Sequence, residues 1–274
     1  CAPGGLTEVI PAAFGRAGKA VLALVLLGGA LLLGGAARAL CAIYPESRGG
    51  PLTGLLLLLA AAYAAERGEE TVLRSGAILF FFLTTVEAVI LGFSAVQVRA
   101  AWLAPQAGSV PLAAMTAALS PMAVLYVRGG ARRTGGWLAA GIGLCAAAAL
   151  CAAGTLSPRV AGEEAFAVYT MAKSVSVFGV MERLEPVVSA ALTAGGFCLL
   201  SVLCLANAKT ARAIGWKKRS GIGNFLLGCT GYLAGTVLPE GVQAVAAAIC
   251  WGMVPLLTLW VASVKKLQKN QKNA

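Results

Sequence analysis

The sequence predicts an all-α fold, a polytopic membrane bundle of about eight transmembrane helices. Three observations predict this fold class. The 274 residues are 59% hydrophobic and only 12% charged, which is too little charge to cover the surface of a soluble protein. The apolar residues form blocks of about 20, and such blocks match the ~30 Å hydrocarbon core of a bilayer at 1.5 Å of helix per residue. The basic residues lie between these blocks and mostly on one side of them.

We expect a single transmembrane domain over residues 1–264, followed by a basic cytoplasmic tail over residues 265–274. The block at Pro51 is short for a full crossing, and it borrows flanking residues to reach the interface. The eight predicted spans are, in order, Ala20–Ala42, Pro51–Ala65, Ser75–Val96, Ser109–Val127, Gly136–Leu156, Leu184–Ala206, Ile222–Leu238 and Val242–Val264.

Two of the segments outside these spans have a predicted role of their own. The stretch from Ser157 to Arg183 is mildly apolar, and it is expected to form an interfacial or re-entrant helix or the start of the next span. The tail after Val264 reads KKLQKNQKNA and is expected to be polar and frayed. Its lysines serve as a stop-transfer signal or contact anionic lipid.

The distribution of positive charge predicts the topology. An even number of crossings places both chain ends on one side, and sixteen of the 22 Lys and Arg residues fall on that side. This bias predicts that both ends are cytoplasmic. The net charge of +11 does not indicate nucleic-acid binding, because no basic face carries interleaved aromatics. The minority side carries Arg38, Arg48, Arg99, Arg159, Lys173 and Arg183.

Several classes of chemistry have no support in the sequence. Histidine is absent, which excludes histidine-based metal sites and Ser-His-Asp triads. The eight cysteines form no CxxC pair and lie in or near apolar blocks, where they act as small hydrophobic residues. No phosphate-binding glycine loop occurs. We therefore expect no enzyme, no cofactor and no metal site.

Glu87 is the first candidate site residue, because it lies in the middle of the predicted span Ser75–Val96. An ionisable residue at that depth costs roughly 2.5–3.5 kcal/mol on insertion scales, so it requires a partner or a purpose. One interpretation is a proton-coupled, cation-coupled or ligand-facing carboxyl group. The other is a neutral glutamic acid that is hydrogen-bonded to a neighbouring helix.

The fourth predicted span contains Pro111 and Pro121. Interior prolines remove backbone hydrogen bonds that lipid does not replace. Broken helices of this kind line substrate cavities in transporters, although a simple packed kink explains the prolines equally well. The candidate pocket residues of this span are Met115, Thr116, Ser120 and Pro121.

The sixth predicted span opens with an acidic cluster, MERLEP. Glu182 and Glu185 are three residues apart, so they share a helix face and could hold a basic partner. Acidic residues and a proline in the first turn also suit capping and the helix dipole. Arg183 completes the cluster, and both interpretations stay open.

Three short motifs in order resemble the GerAB family, the membrane-embedded B subunit of spore germinant receptors. They are YPES before the second span, YAAERGEETVLRSGAI after it, and VFGVMERLEPVVSAAL at the sixth span. The matching positions are Tyr44, Pro45 and Glu46; Tyr63, Arg67, Gly68, Glu70, Val72 and Arg74; and Phe178, Met181, Glu182, Arg183, Leu184 and Glu185.

The resemblance implies a ten-helix fold with inverted repeats, similar to amino-acid permeases of the APC superfamily and to LeuT. The eight spans would be the third to tenth helices, and the chain, which starts at Cys1, would lack the first two. It also implies a small nutrient ligand such as an amino acid, with GerAA-like and GerAC-like receptor subunits as partners. The alternatives are an ion-coupled amino-acid or polyamine transporter of the same fold and a non-binding structural membrane subunit.

Overall fold

The computed structural model of the protein describes residues 5–41, 50–103, 120–127, 131–164, 167–174, 185–216 and 220–272. Helices dominate these residues and no strand occurs among them, which confirms the all-α class. A π-helical turn, Ala248–Met253, precedes the last helix, and 3-10 turns occupy Gly15–Ala17, Ala100–Leu103 and Ser120–Ala123. The helices are α1 (Leu6–Phe14), α2 (Gly18–Cys41), α3 (Gly50–Arg67), α4 (Glu69–Ala95), α5 (Val124–Val127), α6 (Ala131–Leu156), α7 (Pro158–Glu163), α8 (Ala167–Ser174), α9 (Glu185–Ile214), α10 (Ser220–Val237), α11 (Glu240–Ala247) and α12 (Val254–Lys272).

Four described segments are long and apolar enough to cross a membrane, which fits a multi-pass membrane protein. A shorter apolar helix covers Ala248–Val264. Seven of the eight predicted spans coincide with described helices, whereas the span Ser109–Val127 is described only from Ser120 onward. The count of eight crossings and the inverted repeat therefore stay predictions. The four segments are Leu6–Cys41, Glu69–Ala95, Ala139–Leu156 and Pro186–Ile214.

Helices α2 and α9 form the centre of the bundle. Helix α2 packs against α9, α10, α3 and α11, while α9 also packs against α3 and α4. Leucines from these helices form the core because each helix turns an apolar face toward its neighbours. Five of them are at most 1% exposed: Leu22, Leu33, Leu58, Leu200 and Leu203.

Glycines allow α2 and α10 to approach within backbone contact. A Cβ atom added to Gly34 would meet the backbone of Gly231 and Tyr232, and a Cβ atom added to Gly231 would meet the carbonyl group of Ala30. Small residues at such positions are typical of helix pairs in membranes, where close van der Waals contact replaces the hydrophobic effect as the driving force.

The stretch after α6 packs onto the bundle through two short helices. Ser157 caps α7, since its side chain accepts a hydrogen bond from the Val160 N–H group, and Pro158 occupies the first turn. Met171 on α8 is fully buried in a second cluster with residues of α4, α6 and α9. The part of this stretch that the structure describes is therefore helical, and α8 docks against the other helices.

Two boundaries differ from the sequence-based expectations. The first apolar helical segment begins at Leu6 and not at Ala20, because α1 and the turn after it precede α2. Pro11 lies inside α1 and interrupts the run of helix-forming residues that would have predicted this helix. The tail after Val264 was expected to be frayed, but α12 continues to Lys272. Lys and Gln residues are good helix formers, so the polar tail extends the helix that precedes it.

We expect Gly231→Ala to lower the free energy of unfolding by about 1–3 kcal/mol, because the new methyl group would force α2 and α10 apart. Gly223→Ala on the same helix is the matched control, since a Cβ atom there meets no atom within 4 Å. Thermal unfolding of the purified variants in detergent measures the difference. Equal stability of the two variants would show that this contact does not hold the helices together.

Candidate functional site

The structure places the predicted site residues at separate locations. Ser120 and Pro121 begin a 3-10 turn that leads into α5, and Glu185 is the first residue of α9. The remaining candidates of the fourth span and the acidic cluster lie outside the described residues: Met115, Thr116, Glu182 and Arg183. A pocket built from the fourth span therefore stays a prediction.

Glu87 lies half-buried on α4, which packs against α6. Its carboxyl group interacts electrostatically with the thiol of Cys145 on α6. Among the described residues, it makes no hydrogen bond and no ion pair. The described bundle thus places Glu87 between two helices at its periphery and away from the buried core.

A different polar site lies in the core, around the end of the predicted fourth span. Tyr126 on α5 is fully buried, and its hydroxyl group donates a hydrogen bond of 2.5 Å to the carbonyl oxygen of Cys250. Its ring packs edge-on against the indole of Trp251, with 4.8 Å between ring centroids. Cys250 and Trp251 belong to the π-helical turn, a wider turn that is frequent at functional sites.

The π-helical turn and α9 contact α2 at two neighbouring glycines. The Sγ atom of Cys250 lies against Gly28 and the Oδ1 atom of Asn207 lies against Gly29, each in the position that a Cβ atom would occupy. Cys250 also donates its S–H group to the carbonyl oxygen of Leu24 at 3.6 Å. Helix α2 therefore contacts both the π-helical turn and α9 at neighbouring glycines, and α5 bonds to the same turn through Tyr126. We call this region the buried polar junction: Gly28, Gly29, Tyr126, Asn207, Cys250 and Trp251.

Two hydrogen-bond donors of this junction lack an acceptor. Asn207 and Trp251 are each 1% exposed, and neither Asn207 Nδ2 nor Trp251 Nε1 has a partner in the described part of the chain. Most buried polar atoms of native proteins are hydrogen-bonded, so an exception requires an explanation. The junction is therefore the strongest candidate for recognition of another molecule.

A second polar contact lies one half-turn further along α9. The Lys209 Nζ atom donates to Glu69 Oε2 at 2.6 Å and to the carbonyl oxygen of Val127 at 2.5 Å. The side chains of Lys209 and Glu69 are 27% and 31% exposed, so solvent screens this pair only in part. We call these three residues the lysine link. It joins the start of α4, the end of α5 and the cytoplasmic end predicted for α9.

Glycine positions the acidic partner of the link. Gly68 separates α3 from α4 and has a φ of 107°. Residues other than glycine rarely adopt this backbone conformation. The tight turn places Glu69 in the first turn of α4. By contrast, Glu70 forms an exposed pair with Arg74 at 3.1 Å, and Arg67 donates to the Tyr63 hydroxyl group at 3.0 Å. Within the second motif, Glu69 thus supplies the long-range ion pair.

Sequence reasoning missed the key residues of both sites. Asn207 lies just after the predicted span Leu184–Ala206, and the sequence marks Lys209 only as one of the basic residues that predict topology. The signals that could have identified them are the Gly28–Gly29 pair and an amide side chain at the edge of a predicted span. Neither signal specifies a partner, because the contacts join residues more than a hundred positions apart.

Comparison with known proteins gives no match: no family model, no curated protein and no solved structure resembles the chain significantly. The class that the structure supports is a helical, multi-pass membrane protein, on the length and composition of its helices.

We expect Glu69→Gln and Lys209→Met each to lower the free energy of unfolding by about 1–3 kcal/mol, since each change removes one partner of a partly buried ion pair. Glu70→Gln is the matched control, because its exposed pair with Arg74 contributes about 0–1 kcal/mol. Thermal unfolding of the single and double variants gives the coupling energy between Glu69 and Lys209. A purely additive double variant would contradict the link.

Proposed function

We propose that this chain is the membrane-embedded subunit of a GerAB-type spore germinant receptor, which binds a small nutrient such as an amino acid. The lysine link is the observation that carries this proposal. It connects Glu69, within the second motif, with α9, the helix that the third motif opens, and with Val127 at the end of the proline-containing span. Two of the three motif regions and the proline-containing span thus share one polar contact.

The link supports signalling rather than covalent chemistry. A ligand shifts a protein between two conformers only to the extent that it binds them with different affinity. An ion pair between helices has two discrete states, formed and broken, so it suits a two-state element. In this proposal, nutrient binding among α2, α5 and α9 changes the position of α9, and the state of the Lys209–Glu69 pair follows.

The proposal includes a specific topology. Eight crossings with both ends in the cytoplasm follow from the distribution of basic residues, and an inverted-repeat permease fold follows from the family resemblance. The protein would reside in the inner membrane of a spore-forming bacterium, surrounded by lipid. It would assemble there with an A-type membrane subunit and a C-type lipoprotein subunit, and it would bind neither nucleic acid nor a cofactor.

Deletion of the full-length gene in the native host tests the function. We expect spores without it to lose the response to at least one nutrient, and the wild-type gene to restore that response. A copy with Glu69→Gln should restore it only in part, whereas Glu70→Gln, which affects an exposed pair, should restore it fully. Spores that lack the protein and still respond normally to every nutrient would refute the proposal.

Glu87 favours a second candidate function, an ion-coupled amino-acid or polyamine transporter of the same fold. A half-buried carboxyl group without a hydrogen bond among the described residues is free to exchange a proton or a cation. If the chain transports, Glu87→Gln should reduce uptake of a radiolabelled substrate into proteoliposomes at least tenfold. Glu163→Gln, whose pair with Arg159 is exposed, is the control. The absence of uptake by wild-type protein would exclude this candidate.

A third candidate, a non-binding structural subunit, differs from both in one measurement. A nutrient that binds the folded state raises thermal stability by mass action, whereas a structural subunit gains nothing. A panel of amino acids tested on the purified protein therefore separates this candidate from the first two.

A further inference from the structure

We propose that α4 and α6 together form a docking surface for one transmembrane helix of a partner subunit, and that this helix carries a lysine or arginine residue at mid-membrane depth. We call the surface the α4–α6 face: Glu87 on α4 and Gly141, Cys145 and Ala149 on α6. The inference deepens the proposed function and rests on its claim that the chain assembles with another membrane subunit. It names the surface and the chemistry of that partner.

The carboxyl group of Glu87 determines the chemistry of the partner. Glu87 lies at the centre of its predicted span, whereas Glu185, the other acidic residue within the eight spans, lies at a span end. Ionisable residues at mid-membrane depth pair with one another or with backbone groups, because hydrocarbon does not hydrate them. In the part of the chain that the structure describes, Glu87 makes no hydrogen bond and no ion pair.

Basic residues on the elements next to this face have local partners. The guanidinium group of Arg99, which follows α4, lies over the ring of Trp102, with 4.6 Å to the ring centroid. Arg159 on α7, the helix that follows α6, donates to the carboxylate group of Glu163 at 3.2 Å. The counter-charge for Glu87 therefore has to come from another molecule.

A second copy of this chain does not supply that counter-charge. The eight predicted spans contain a single basic residue, Arg38, which lies near the end of its span and donates to the carbonyl oxygen of Gly235. A two-fold symmetric contact through the α4–α6 face would bring two copies of Glu87 together, and like charges repel each other. The occupant is therefore a helix of a different chain.

Helices α4 and α6 leave most of their surface uncovered by the rest of the bundle. Only 6% of the apolar window of Glu69–Ala95 and 18% of the window of Ala139–Leu156 are buried, against 50% for Leu6–Cys41. Lipid covers apolar side chains such as Phe81 as well as another helix does. It does not offer Glu87 a positive charge at this depth, and a basic residue on a docked helix does.

Small residues line the α6 side of the face. Gly141, Cys145 and Ala149 are four residues apart, so they share one side of α6, and all three are exposed. A Cβ atom added to Gly141 meets no atom within 4 Å. Small residues at this spacing let a second helix approach closely in a membrane. Because Cys145 interacts electrostatically with Glu87, a helix docked on this stripe lies beside the carboxyl group.

Designed transmembrane peptides test the face directly. The 274-residue chain and a peptide are reconstituted together in liposomes, and energy transfer between fluorophores on the two measures their association. Each peptide is an apolar helix of about 20 residues, long enough to cross the bilayer. The first has lysine at its centre, the second has leucine there, and the third has lysine two helical turns from the centre. We expect the first to bind at least tenfold more tightly than the other two.

Two substitutions and their matched controls make the test specific. Glu87→Gln should lower binding of the central-lysine peptide to the level of the leucine peptide, whereas Glu163→Gln, which affects an exposed pair, should leave it unchanged. Gly141→Leu should weaken binding about tenfold by blocking close approach. Gly223→Leu is its control on α10, since a Cβ atom there also meets no atom within 4 Å.

Thermal unfolding of the isolated chain shows whether Glu87 has a partner within it. We expect Glu87→Gln to unfold at the same temperature as the wild type or higher, because the substitution removes a charge that no described residue pairs. A clear loss of stability would place the partner of Glu87 inside the chain and overturn the inference.

Two further outcomes would overturn it. One is a central-lysine peptide that binds no more tightly than the leucine peptide, and the other is binding that survives Glu87→Gln. The proposed function has a separate readout in spores. If spores need the protein to respond to a nutrient while no peptide binds through Glu87, only this inference fails. If the peptide binds as expected while spores without the protein respond normally, the docking surface stands and the receptor function fails.

Discussion

The close approach of other elements to α2 is the constraint on which the rest of the structure depends. In hydrocarbon, helices gain little from the hydrophobic effect when they associate, so packing must come from direct contact. Helix α2 provides that contact with glycines. Cys250 packs against Gly28, Asn207 packs against Gly29, and the backbone of α10 packs against Gly34. Because these glycines face different neighbours, one helix holds α9, α10 and the π-helical turn together, and larger side chains there would separate these elements.

The same constraint makes the polar interior informative. Several buried hydroxyl groups satisfy themselves locally: those of Ser201, Thr210 and Thr258 donate to the carbonyl group four residues earlier on their own helix. Asn224 reaches across to the carbonyl oxygen of Cys204 at 3.0 Å. Three buried groups of the described residues lack a partner: the Ser94 hydroxyl group on α4, the Asn207 amide on α9 and the Trp251 indole in the π-helical turn.

The helices were predictable from the sequence and the site was not, for a physical reason. A block of apolar residues specifies a helix by itself, because lipid forces the backbone to satisfy its own hydrogen bonds. Glu87 could be singled out in the same way, since a charge inside such a block is unusual at any position. The junction and the link depend instead on partners 124 and 140 positions apart, Tyr126 with Cys250 and Lys209 with Glu69. No local sequence pattern predicts which distant segments will be in contact.

Helix α9 connects the buried polar junction with the lysine link. Asn207 and Lys209 are two residues apart on this helix, one in the buried polar junction and the other in the lysine link. A helix moves as a stiff element over such a short distance, so a ligand that displaces Asn207 also displaces the Lys209 ammonium group. Coupling between two sites is reciprocal in free energy. If opening of the junction weakens the link, then loss of the link must favour the open junction to the same degree. The structure shows this pair intact, with 2.6 Å between Lys209 Nζ and Glu69 Oε2.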